Sequence, residues 1–350
     1  MTDEHRRVSH ETFSTFSTQI FREAGLSQTG ATVMTDALMH ASLRGVDTHG
    51  LIRLEPYARK LVEGGFNPDY DLVIEQNNTS VTYLRADAAP GPIAAIKGMK
   101  LAIEHAAATG IGAVVVTESN HFGMAAHYTL HAAEYDCIGL ALSHGGPRVA
   151  PAGGVDPFFG TNPIAYSIPT PGEFHITHDM STSAGANAKI RQARNHGNAI
   201  PNGWAVDETG KPTTHPDEVH SLQPVGGYKG YGLGLFVEVC SGILAGTHFA
   251  PEVPTPYENF SEPMDIGHLL VAIDVTAFRD GDAFRADIGE LIDRLHKSQP
   301  ADPAVPVRLP GERAARCARE RKTEGIPVDP SLERSITAAA NRFNINHPLE

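Results

Sequence analysis

The chain has 350 residues, 41% of them hydrophobic and 20% charged, with 34 Gly, 25 Pro, one Trp and a formal charge of −13. Such a length gives two domains or one elaborate one with a full core, and the composition excludes collagenous, disulfide-dense and intrinsically disordered classes. The acidic surplus argues against nucleic acid and anionic membrane as partners, since only Arg313 to Lys322 is locally basic.

Phe13, Phe16, Ile20 and Phe21 recur at helical spacing and Gly25 follows as a stop. A second helix is predicted from Ala31 to about Arg44, and a third over Leu51 to Val62, closing at Gly64-Gly65. From Leu72 the pattern changes to short β-rich runs, DLVIEQ, SVTYLR, GAVVVTES, IGLALSH and PIAYSIP, bounded by Gly, Pro, Asn or Asp. Between them Gly91 to Thr109 and Met124 to Tyr135 read as crossover helices. Gly232 to Gly246 reads as a nearly all-apolar helix, too short to span a bilayer and therefore expected in the core. Thr247 to Pro263 is a Pro-rich surface loop, HLLVAIDVTAF one more buried strand, and Asp280 to Leu295 an amphipathic helix. A second Pro-rich stretch, Gln299 to Pro306, precedes the helix-start signal at Leu309-Pro310-Gly311-Glu312.

No apolar run reaches the ~20 residues that cross a bilayer, and charges stand in MTDEHRRVSHETF where a secretory signal has its apolar core, so a cytoplasmic location is expected. Cys137, Cys240 and Cys317 are odd in number, far apart and never in a CxxC pair, which argues against a disulfide framework and a Cys-based zinc site.

The glycine fingerprint of the classical dinucleotide fold and the P-loop are both absent, as are HExxH and GxSxG, so a nicotinamide enzyme here needs another fold. Four constellations carry chemistry. In the first, Gly45 to Arg53, a helix starting near Thr48 places His49 and Arg53 four residues apart on one face, an acid/base imidazole beside a guanidinium suited to a carboxylate. The same residues also read as a capping Thr and a surface His. The second, Ser119-Asn120-His121-Phe122-Gly123, follows an apolar run and puts His121 at the C-terminal end of a strand, where ligands gather in α/β sheets, or makes an Asn/Ser helix cap.

The third runs from Gly153-Gly154 and Phe159-Gly160-Thr161-Asn162-Pro163 to His175 through Ser183: either a phosphate cradle, or a β-turn and a solvated loop. His175, His178 and Asp179 also form a rival divalent-metal set, although strand alternation sends the two histidines to opposite faces. In the fourth, Gly226 to Gly232, Lys229 can meet phosphate at a helix N-terminus, or the glycines make a flexible turn.

Taken in this order, DTHGLIRL, SNHFG, APAGG with GTNPIA, DMSTS, TTHP, GGYKGYGL with EVCSGILAG, and LPGE resemble the malate/L-lactate dehydrogenase family of the second, non-Rossmann type. Its members include ureidoglycolate dehydrogenase, diketogulonate reductase, sulfolactate dehydrogenase and the piperideine and pyrroline carboxylate reductases. The resemblance implies NAD- or NADP-dependent interconversion of a small 2-hydroxy acid and its 2-oxo acid. It implies a mixed α/β fold, with a large mixed-sheet domain over 73–305 that binds the cofactor and a helical domain made from both chain ends, 1–72 with 306–350.

Residue by residue, the resemblance makes His49 the proton donor, Thr48 its neighbouring hydroxyl, Arg53 the substrate clamp, His121 the other acid/base group and Asp179 the group orienting the histidine. Implied cofactor contacts are His175, His178, Asp179, Met180 and Ser181, then Lys229 and Gly230, then Pro310, Gly311 and Glu312, with no metal. A homodimer is implied as well. Thr48 stands where relatives usually carry Ser, and His215 where they usually carry an acidic residue. Reduction of a cyclic imino acid by the same residues is the alternative inside the family; a metal-dependent hydrolase built on His175, His178 and Asp179 is the alternative outside it.

Overall fold

The computed structural model describes residues 6–76, 78–255 and 259–349. After a short strand, β1 (Arg7–Val8), come α1 (His10–Glu23), α2 (Gln28–Leu43) and α3 (Leu54–Glu63). Ser9 and Ser27 cap the first two helices, each side-chain oxygen accepting from the backbone N–H three residues on. The predicted start of the third helix is corrected: Asp47–His49 and Leu51–Arg53 form separate 3-10 turns, and α3 begins only at Leu54.

A seven-stranded mixed sheet follows, built from β2 (Val73–Gln76), β3 (Val81–Arg85), β4 (Ile111–Ser119), β5 (Cys137–Ser143), β6 (Ile164–Ile168) and β7 (Ile176–Met180), with α4 (Gly91–Thr109) and α5 (Ala126–Ala133) on the way. A small three-stranded sheet, β8 (Ala205–Val206), β9 (Pro212–Thr213) and β10 (Ser221–Leu222), comes after α6 (Asn187–His196). Next are α7 (Tyr228–Glu238) and the seventh large-sheet strand, β11 (Ile266–Asp274). The chain closes with α8 (Gly281–His296), α9 (Glu312–Glu324), β12 (Ile326–Pro327), which pairs with β1, and α10 (Pro330–Phe343).

The large sheet runs β2-β3-β4-β11-β5-β6-β7, so the last strand in sequence inserts at the centre, antiparallel to both β4 and β5. Within the large sheet, among the described residues, only β3 and β4 pair in parallel, and α4 is their crossover. One apolar cluster joins Phe13, Ile20 and Phe21 of α1 and Met34 and Leu38 of α2 to Ile326, Leu332 and Ile336 from the other chain end. Each such side chain, fully buried, contributes about 1.5–3 kcal/mol. A second cluster lies between α4, α5 and the sheet, with Met99, Val114, Val116, Tyr128 and Leu270 at its heart.

The expectation of a buried helix over Gly232 to Gly246 is overturned. The segment is α7 followed by a π-helical turn, Val239–Ile243, and Leu233, Leu235, Phe236, Val239, Ile243 and Leu244 are 41–57% exposed. Its inner face is fixed by small and polar residues: Gly230, Gly234, Val237 and Glu238 are buried, and the Glu238 carboxylate accepts from Asn162 Nδ2 at 2.7 Å and from the Ala250 N–H at 2.7 Å. A helix apolar all round cannot bury both faces against one sheet, so the outer face is left uncovered. No helix among the described residues is long and apolar enough to cross a membrane.

Candidate active site

The first constellation folds as a tight double turn. An added Cβ on Gly50 would lie 2.1 Å from Ser42 Oγ, so only glycine allows α2 and the turn to approach this closely. In return Ser42 Oγ accepts the Leu51 N–H at 2.9 Å. Arg321 of α9 braces the turn from outside, bonding both Asp47 carboxylate oxygens at 2.5 and 3.1 Å and the Ser42 carbonyl at 2.5 Å. Gly50, with ψ of −146°, breaks the helical register expected from Thr48. His49 and Arg53 are therefore joined differently: Thr48 Oγ1 lies 3.1 Å from His49 Nδ1, and Arg53 Nε donates to the Thr48 carbonyl at 2.6 Å.

The second constellation closes on the first. Asn120, fully buried, donates from Nδ2 to the carbonyls of Ala88 and Ala89 at 3.0 and 3.3 Å and accepts the Met264 N–H at 2.9 Å, so it works as a strut between loops and not as a helix cap. That strut presents His121, whose ring stacks on His49 with centroids 5.6 Å apart and planes 16° apart. Tyr57 OH lies 2.6 Å from His121 Nδ1. Phe122 stacks on His268 at 4.6 Å, and His268 in turn is bonded to Ser119 and Ser143 hydroxyls, both at 2.9 Å.

Charge follows from this packing. Burial pushes the His49 imidazole down to about 3, with the Arg53 cation adding to the effect. His121 is held well below the ordinary histidine range by burial and then by His49, Arg53, His268 and Lys60. Lys60, 2% exposed on α3, is itself lowered to about 8 by burial. Both imidazoles are neutral at neutral pH, and the cationic groups beside them favour an anionic ligand.

The third and fourth constellations meet elsewhere on the sheet. Thr182 N–H donates to the Thr161 carbonyl at 2.9 Å, and Val225 N–H to the Thr182 carbonyl at 2.9 Å, which lays Ser181 to Ser183 against the entry to α7. There an added Cβ on Gly230 would sit 2.2 Å from the Val225 carbonyl, and Lys229 is exposed in a first helical turn with no side-chain cap. Uncapped N–H groups beside a lysine suit a phosphate. The GTNP segment is a strut here: Asn162 is fully buried and its Nδ2 bonds the Gly234 carbonyl at 3.0 Å.

Met180 lies on β7 opposite Ile164, and His178 opposite Tyr166, their rings 5.5 Å apart. Asp179 accepts the Ala126 N–H at 2.8 Å, and among the described residues it makes no hydrogen bond to His49. Loss of water in its surroundings raises its carboxyl above the usual range, against the Ala126 bond and His178. The Thr177 N–H donates to the Pro310 carbonyl at 3.0 Å, and Gly311, at φ 96°, has room only for hydrogen beside the His175 carbonyl. Glu312 pairs with His296, and His175 Nδ1 accepts the Thr170 N–H at 3.3 Å. Among the described residues no three His, Cys, Asp or Glu side chains gather as a metal set, which leaves the hydrolase alternative without ligands. Tyr57 and Lys60 were not singled out in the sequence, although their spacing of four and seven residues from Arg53 puts them on one face of a helix.

A malate/L-lactate dehydrogenase family profile matches residues 8–337. The malate/(S)-sulfolactate dehydrogenase of Methanothermus fervidus is 36% identical over 340 residues, covering 97% of this chain and 98% of that protein. The NAD(+) ureidoglycolate dehydrogenase of Escherichia coli is 33% identical over 322 residues, covering 92% of each. Among solved structures, malate dehydrogenase from Entamoeba histolytica superposes with a TM-score of 0.92 at 28% identity, over 98% of this chain and 99% of that one. A profile spanning nearly the whole chain, full-length relatives and a shared fold together establish that the protein belongs to the malate/L-lactate dehydrogenase family.

Proposed function

We propose that the protein is an NAD- or NADP-dependent oxidoreductase of the cytoplasm that interconverts a small 2-hydroxy acid and its 2-oxo acid. The observation that carries this reading is the stacked His49–His121 pair with Arg53 tied to the same turn, two neutral imidazoles beside a guanidinium. The residues fit a dinucleotide: Gly226, Gly227 and Gly232 leave open space around the uncapped first turn of α7, and the Ser181 hydroxyl and exposed Lys229 offer anion-seeking groups. Met180, Ser181, Lys229, Gly230 and the Pro310-Gly311-Glu312 turn would hold it, with His175, His178 and Asp179 along β7 beside them, and once bound it supplies or accepts the hydride.

Arg53 holds the substrate carboxylate by its guanidinium. His49, neutral at rest, is a base for the hydroxyl proton when a hydroxy acid is oxidised. For the reverse reaction His49 must carry a proton; burial chiefly holds the imidazole down, and a carboxylate on Arg53 favours protonation by offsetting the cation that adds to it. Thr48 Oγ1 occupies His49 Nδ1 and leaves Nε2 for the exchange. Thr48 orients His49 through Nδ1, and among the described residues Asp179 makes no hydrogen bond to that ring.

A second copy of this chain covers the exposed apolar face of α7 and the turn after it, giving a homodimer. Six large apolar side chains in one stretch are more than an isolated soluble surface tolerates. The three free cysteines suit a reducing compartment. The decisive assay is oxidation of NADH and NADPH against pyruvate, oxaloacetate, sulfopyruvate and pyrroline-2-carboxylate. Turnover of a 2-oxo acid is expected; turnover of the imine alone selects the cyclic imino-acid alternative, and turnover of none overturns the proposal.

A further inference from the structure

The buried pair Tyr57 and Lys60 has no part in the proton exchange described above, yet Tyr57 bonds His121 directly. On α3 they stand four and seven residues after Arg53. Tyr57 is 2% exposed, its ring rests against Phe66 at 5.6 Å, and its hydroxyl reaches His121 Nδ1 at 2.6 Å. Lys60 is equally buried; its ammonium donates to the Glu262 carbonyl at 3.2 Å and lies 5.6 Å from the Phe66 ring centre. Among the described residues Lys60 has no carboxylate partner.

Resting on the proposed function, we infer that Tyr57 is a positioning residue that holds His121 in the tautomer with its proton on Nε2. The nitrogen that carries the hydrogen in a neutral imidazole is decided by the partner of the other nitrogen. A phenol is the stronger acid and an imidazole nitrogen the stronger base, so the Tyr57 hydroxyl donates to Nδ1. The groups acting on His121 are His49 and Arg53 from the catalytic turn, Tyr57 and Lys60 from α3, and His268 from β11. Among the described residues none of these groups is a carboxylate, so none of them compensates a charge on the ring.

The consequence is a division of roles within the stacked pair. His121 offers an N–H that can hold a substrate oxygen, and His49 exchanges the proton. With the roles reversed, Tyr57 would have to accept from Nδ1–H and leave Nε2 bare.

The test is two-bond proton–nitrogen NMR on protein labelled with 15N-histidine, the His121 signals being assigned by their loss in His121→Gln. The wild type should show the Nε2–H pattern from pH 6 to 8. Tyr57→Phe, which keeps the ring, should mix the tautomers and lower kcat by about 10-fold or more while KM moves little, since orienting a catalytic imidazole acts on turnover. An Nδ1–H pattern in the wild type overturns the inference, as does a Tyr57→Phe protein with unchanged tautomer and turnover. If no substrate is turned over, the proposed function fails, and the NMR arms still decide the tautomer.

Discussion

Gly50→Ala probes whether the turn that carries His49 and Arg53 depends on its close approach to α2. The new Cβ would lie 2.1 Å from Ser42 Oγ, 3.0 Å from Ser42 N and 3.1 Å from Ser42 Cα. All three distances fall inside the ~3.5 Å at which carbon packs comfortably, and two of them are to backbone, so rotating the serine hydroxyl away relieves only part of the overlap. That rotation also removes the acceptor of the Leu51 N–H. If the turn stays in place, overpacking at about 1–3 kcal/mol adds to a stranded buried N–H at about 1–3 kcal/mol. If it moves instead, stability recovers, but a shift of about 1 Å at His49 and Arg53 costs about 100-fold in turnover. Urea unfolding and steady-state kinetics on the same variant read both branches. A variant within about 0.5 kcal/mol in stability and about 2-fold in kcat of the wild type would refute the reasoning.

Other outcomes follow from the same site. His49→Gln should lower kcat by about 100-fold or more in the NADH or NADPH assay, the share of a lost acid/base group, with wild-type turnover removing His49 from the role. Arg53→Lys should chiefly raise KM for the 2-oxo acid, because the two-pronged grip on the carboxylate is lost. His40, His49, His121, His127, His144, His175 and His268 are all pushed down by burial. Below pH 6.5 the unfolded chain therefore binds more protons than the folded one, and stability falls as pH drops toward 4. Asp36 and Asp179, raised by desolvation, work the other way but are outnumbered. Melting followed by circular dichroism should show Tm at pH 4.5 more than about 5 °C below that at pH 7, and a flat profile contradicts the buried neutral state. Leu235→Asp with Phe236→Asp should convert a dimer to a monomer by light scattering; a dimer that survives both changes lies on another face.

Much of the fold was legible. Gly91 to Thr109 was bounded by Pro90 before it and Gly110 after it, and the helix has those limits. The five β-rich runs from Leu72 to Pro169 became β2 to β6 because alternating branched residues between turn formers leave little else for the backbone to do. The Gly232 to Gly246 segment was misplaced for a physical reason: apolar character says that a face avoids water, not which partner covers it.

Residue types and their order along the chain were enough to point to the family and to single out His49, Arg53 and His121 as candidates, two of whose rings the fold stacks. Their geometry was not. The helical spacing expected for His49 and Arg53 is broken at Gly50, and a backbone hydrogen bond takes its place. The bond between Tyr57 and His121 spans 64 positions, and Lys60 reaches a carbonyl 202 positions away. Propensity and periodicity act over a few residues, so they settle which segments become helix or strand. Which imidazole stacks on which, and which lysine is buried beside it, is decided only when β11 closes the sheet and the loops around Asn120 lock, because those contacts exist only between parts of the chain that folding has brought together.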